Sequence, residues 1–157
     1  YDYQTILHEL GHTLGLKHGH ENVDHGAVPG RLDSLEFSVM TYRSYVHGPT
    51  DGYTNEQFGY PQTYMMLDIA ALQYLYGADF STNSDATVYR WSPSSGQMTV
   101  NGADALTPGG NRVFSTIWDG GGVDTYDLSA YGTDMSISLA PGGRSIGIPF
   151  WGATPSL

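Results

Sequence analysis

Apolar residues recur at Ile6, Leu10 and Leu14, four apart, which predicts an amphipathic helix from about Asp2 to Gly15 with a single apolar stripe. From His20 to Glu36 the period dissolves into a loop marked by Gly26, Pro29 and Gly30. Val46 to Gly59 is similar, with Gly48-Pro49 and Asp51-Gly52 as turns. Pro61 to Tyr76 predicts a second helix. Its interior, Tyr64 to Leu72, is apolar almost all round, which predicts burial, with Met65 and Met66 as core filler and Gly77 as the C-terminal cap. Past residue 80 the helical period is lost. Arg112 to Trp118 and Met135 to Leu139 alternate as strands do, punctuated by Gly109-Gly110, Gly120 to Gly122 and Pro141-Gly142-Gly143. The pattern predicts an α+β protein divided near Phe80: a mostly helical part, 1–80, and a β-rich part, 81–157.

Composition narrows the classes. The 157 residues suffice for one domain with a sizeable core, or for parts of two. A net charge of -10 argues against nucleic-acid binding, which needs a basic stripe. The acidic residues are twelve Asp to four Glu, and Asp suits turns and calcium sites. With no Cys, a secreted chain of this size needs another staple, and bound metal supplies one. No apolar run approaches a membrane span. The chain opens at Tyr1, within two turns of the residues considered next, as expected of an internal segment.

His8-Glu9-Leu10-Gly11-His12-Thr13-Leu14-Gly15-Leu16-Lys17-His18 has the spacing H-E-x-x-H-x-x-G-x-x-H. Residues four apart share a helix face, so His8 and His12 can address one metal ion. Glu9 lies about 100° around the helix from His8, bordering the metal without displacing a ligand. Gly15 can take positive φ, end the helix and bring His18 back as third ligand; His20 competes with it for that role. His25 and His47 read as loop residues. Three protein ligands leave one zinc position open for water, the mark of a catalytic site, and Glu9 can then act as general base.

The pattern is that of the metzincins, and the chain resembles a serralysin-type secreted zinc metalloprotease of that clan. The resemblance rests on HELGHTLGLKH, on Ser38-Val39-Met40-Thr41-Tyr42, on DIAALQYLYGA from Asp68 to Ala78, and on WDGGGVDTYDLSAY from Trp118 to Tyr131. It implies the C-terminal part of a metzincin-like catalytic domain, lacking the family's upstream sheet and downstream calcium repeats, followed by the start of a calcium-stabilised β-roll. It further implies one catalytic zinc on His8, His12 and His18, with Met40 as an apolar floor. Tyr42 would ligate zinc at rest and stabilise the oxyanion once it swings aside. One or two structural calcium ions are implied at an R-x-G-x-T segment and a D-x-G-G-x-D loop. The loop matches at Asp119, Gly121, Gly122 and Asp124. The segment departs from the pattern, with Asn83 and Asp85 for Arg and Gly and only Thr87 agreeing, which is tolerable where backbone carbonyls are the ligands.

The function expected is a secreted, extracellular, monomeric zinc endopeptidase acting on proteins or peptides. The competing expectation is a non-catalytic calcium-binding secretion or adhesion module with a degenerate metal site.

Overall fold

The computed structural model describes residues 2–23, 25–140 and 146–147. The architecture is α+β: two helices, α1 (Asp2–Thr13) and α2 (Met66–Tyr76), precede six short strands. Strands β1 (Val88–Trp91), β2 (Met98–Val100), β3 (Ala103–Leu106) and β4 (Thr125–Asp127) form a sheet in the order β3-β2-β1-β4. β1 and β4 run parallel and the other pairs antiparallel. Strands β5 (Met135–Ser136) and β6 (Ile146–Gly147) make a separate antiparallel pair. Among the described residues no helix is long and apolar enough to cross a membrane.

The core under the helices is small: Leu16, Val39, Met40 and Met65, with Leu7, Tyr64, Ala71, Leu72 and Phe114 packed against it. The apolar stripe of α1 does not face it. Ile6 is 62% and Leu10 46% exposed, while Gln4, His8 and Gly11 face inward. The inward face of α1 is thus mixed, with Gln4 and His8 beside Gly11 and the half-buried Leu7.

Three predicted elements are corrected. The second helix begins at Met66, not Pro61, because residues 61–63 are engaged elsewhere. Gln62 N donates to Phe114 O at 2.9 Å, Phe114 N to Gln62 Oε1 at 2.8 Å, and Thr116 N to Thr63 Oγ1 at 2.9 Å. For the same reason Arg112 to Trp118 is not a strand. It lies along residues 62–63 through one backbone bond, Gln62 N to Phe114 O, but side-chain oxygens of Gln62 and Thr63 take the place of the rest of a ladder. Of Met135 to Leu139, only Met135–Ser136 pairs as a strand. Pro141-Gly142-Gly143 lies outside the described residues. The burial expected of Tyr64 to Leu72 holds in full only at Met65 and Asp68; Ala70 is exposed and the rest are half-buried. Gly77 does cap the helix, at φ 87°, with its N–H on Gln73 O.

The sheet was signalled by a turn that strand periodicity overlooked. Asn101-Gly102, with φ of 52° and 84°, joins Val100 to its partner Ala103. Such a pair is the strongest short-range hairpin signal.

Candidate metal centre

α1 ends in a turn that redirects the chain. Gly15 takes φ 88°; its N–H bonds to His12 O at 3.0 Å, and Leu16 N to Gly11 O at 2.9 Å. These two bonds are a Schellman cap, which satisfies the orphan carbonyls of the last turn. The reversal carries His18 back beside α1. His8, His12 and His18 come together with one ring nitrogen each, all within 4.8 Å of one another.

Each histidine is oriented by a partner on its other nitrogen. His8 Nδ1 bonds to Val39 O at 2.8 Å, His12 Nδ1 to Leu16 O at 3.0 Å, and His18 Nδ1 to Glu21 Oε1 at 3.0 Å. Carbonyl and carboxylate oxygens only accept, so each Nδ1 carries the proton and each neutral ring presents a lone pair at Nε2. Yet His12 Nε2 and His18 Nε2 lie 3.0 Å apart. Two unprotonated nitrogens at that distance repel unless a proton or a cation lies between them. A cation between them resolves the conflict, so the donor set fits a divalent metal that takes imidazole nitrogen, zinc among them. Burial also holds the His8 pKa below its ordinary 6.5. The Val39 bond opposes that shift, while charge on His12 and His18 reinforces it, and the net result favours the neutral, ligating form.

The floor of the centre is the 38–43 segment. Met40 is 2% exposed, and its sulfur lies against α1 at Gly11, where an added Cβ would meet it at 2.5 Å. Asp68, 2% exposed, holds one end of the segment. It accepts from Ser38 Oγ at 2.6 Å, from Val39 N at 2.8 Å and from Met65 N at 2.9 Å. Asp33 holds the other end, accepting from Thr41 Oγ1 at 2.5 Å and Arg43 Nε at 3.0 Å. Between these clamps Tyr42 projects outward, its hydroxyl 2.9 Å from His18 Nε2 and its ring stacked 5.9 Å from that of His8. His20, the rival third ligand, is exposed and stacks on His18 at 5.3 Å, outside the three-nitrogen cluster.

An open cleft of about 490 Å³ borders the centre. His8, Glu9 and Tyr42 line one side, and Thr50 to Tyr53 the other. Glu9 is solvent-exposed at the cleft wall, one residue beyond His8.

The second group of predicted residues also meets. Gly120 N donates to Thr82 O at 2.8 Å, and Thr87 N to Asp124 Oδ1 at 3.0 Å, closing the 80–87 segment on the 119–124 loop. The Thr87 hydroxyl lies 2.9 Å from Asp85 O and 3.3 Å from Asn83 O. Tyr89 donates to Asp119 Oδ2 at 2.5 Å, and burial together with that carboxylate holds its phenol far above the ordinary range. Gly121 N donates to Asp119 Oδ1 at 3.0 Å. At Gly122, φ 107°, an added Cβ would meet Asp85 O at 2.5 Å. Carbonyl and carboxylate oxygens of the two segments are thus brought near one another, oxygen being the ligand type calcium takes.

Sequence reasoning missed Glu21 and Asp68 as functional residues. Glu21 was findable as the carboxylate three residues beyond His18. Asp68 was findable as the one charge inside the apolar run Tyr64 to Leu72.

Residues 78–146 match the family described as Peptidase M10 serralysin C terminal. The chain is similar to Serralysin G of Dickeya chrysanthemi, 38% identical over 144 residues that cover 88% of this chain and 28% of that protein. Against Serralysin of Proteus mirabilis the identity is 34%, covering 92% of this chain and 29% of that protein. Against Metallopeptidase AprA of Pseudomonas marginalis it is 33%, covering 88% and 30%. The chain therefore spans less than a third of the length of these relatives, and the family match takes in the 83–87 and 119–124 segments. Together the matches support a serralysin-type metalloprotease fragment.

Proposed function

We propose that this chain carries the zinc centre of a secreted, monomeric endopeptidase of metzincin type that hydrolyses peptide bonds of extracellular proteins. In this reading residues 1–80 are the C-terminal part of the catalytic domain, and 81–157 begin a calcium-binding β-roll. One observation carries the proposal: three imidazoles, each held at Nδ1 by another group, bring one ring nitrogen apiece within 4.8 Å of one another beside an open cleft. His8, His12 and His18 would hold the zinc. When bound, zinc supplies Lewis acidity that makes water nucleophilic at neutral pH. Glu9 takes a proton from the attacking water and passes it to the leaving amine. Tyr42, displaced from His18, donates its hydroxyl to the developing oxyanion, as the swing of such a tyrosine implies. Asn83, Asp85, Thr87, Asp119, Gly121, Gly122 and Asp124 would hold one or two calcium ions that stiffen the β-rich part.

The experiment pairs zinc content with casein hydrolysis in the parent protein, wild type and Glu9→Ala, since the segment alone covers less than a third of its relatives' length. One tightly held zinc in both proteins, with turnover lost only in the variant, is the expected result. Undiminished proteolysis by Glu9→Ala overturns the mechanism. Zinc binding without turnover in the wild type favours the secretion or adhesion module instead; the retention of both Glu9 and Tyr42 speaks against that outcome.

A further inference from the structure

The segment that delivers His18 has an organiser of its own. Lys17 Nζ donates to three backbone carbonyls: Glu21 O at 2.6 Å, Val23 O at 3.0 Å and Gly26 O at 2.7 Å. An ammonium has three N–H donors, and here all are spent on one loop. The same loop closes through Val28 N on Gly19 O at 2.7 Å and Gly26 N on Val23 O at 3.0 Å. Its working residue is Glu21, whose carboxylate takes His18 Nδ1 at 3.0 Å and His18 N at 3.2 Å. The Lys17 bond to the Glu21 carbonyl therefore fixes the residue that fixes the third imidazole.

We infer that Lys17 is a positioning residue for the candidate metal centre: its ammonium gathers the Glu21, Val23 and Gly26 carbonyls as a bound cation would, and so holds Glu21 against His18 before any metal arrives. This rests on the metal-centre reading above. Three convergent carbonyls are a strongly negative spot that a neutral side chain leaves unpaired, and the loop then opens. Arginine does not substitute, because its planar fork donates in fixed directions rather than to three points around one atom. Loss of such an outer partner typically weakens metal binding by about 10- to 100-fold.

The absence of cysteine from the chain makes a clean test available. Lys17→Cys, prepared metal-free, is alkylated either with bromoethylamine, which restores an ammonium at nearly the native length, or with iodoacetamide, which does not. Cobalt(II) affinity is then read from its visible absorption under chelator competition, and amide exchange of 19–26 is followed without metal. The expected result is affinity at least about tenfold weaker and faster exchange in the carboxamidomethyl form, both recovered in the aminoethyl form. Equal cobalt affinity in the two alkylated forms overturns the inference while leaving the metal centre standing. So does affinity that is lost in both forms alike. A wild-type chain that takes up no cobalt defeats the metal-centre reading itself, and the inference with it.

Discussion

Asp68 reaches the metal centre through Val39. Its carboxylate accepts from Val39 N at 2.8 Å, and the Val39 carbonyl accepts in turn from His8 Nδ1 at 2.8 Å and Gln4 Nε2 at 3.2 Å. One residue of the 38–43 segment thus links the second helix to His8. Burial pushes the Asp68 pKa up against the three bonds that pull it down, so the carboxylate is a costly group held for position.

Asp68→Ala leaves three buried donors, Ser38 Oγ, Val39 N and Met65 N, without an acceptor. The expected loss is about 3 kcal/mol of stability in denaturant unfolding, together with weaker zinc retention under chelator. Unchanged zinc retention would show that the link to His8 carries no functional weight.

Tyr42→Phe removes the hydroxyl 2.9 Å from His18 Nε2 but keeps the ring stacked on His8. In steady-state kinetics on a peptide substrate, kcat should fall about 100-fold with KM little changed, as for loss of an oxyanion donor. An effect on KM alone would make Tyr42 a binding residue instead.

Acid should loosen the metal-free fold in a definite window. The native pKa of His8 lies below 6.5, so the unfolded chain takes up that proton first. The stability contribution is whole above pH 6.5 and disappears as pH falls through the lowered native value. Thermal melts of the chelated protein at descending pH should show this slope, and His8→Gln should flatten it. An identical slope in the variant would place the acid lability elsewhere.

Gly122→Ala drives a Cβ into Asp85 O at a φ of 107°. The two loops must part, at a cost of about 2 kcal/mol, and the rise in melting temperature on adding calcium should shrink. A full calcium response in the variant would remove the 119–124 loop from the calcium assignment.

Local chemistry was legible along the chain. The i, i+4 spacing puts His8 and His12 on one face of α1, Gly15 makes the turn, and Gly77 ends α2, because each depends on backbone geometry over a few residues. Strand boundaries were not legible. Residues 112–118 carry the right alternation, but whether they join a sheet depends on the partner they meet, and that partner, 62–63, answers largely with side chains.

By itself the sequence determined the ligand-bearing helix, the reversal after it and the α+β division of element types, all set by contacts within one or two turns. Only the tertiary structure decided that the inner face of α1 would carry Gln4 and His8 rather than Ile6 and Leu10, that Asp68 would clamp Val39 from 29 residues away, and that Lys17 would be spent on the loop beyond His18. A buried charge or a convergent set of carbonyls is stable only when its partners come from elsewhere in the fold. No periodicity along the chain encodes who those partners are.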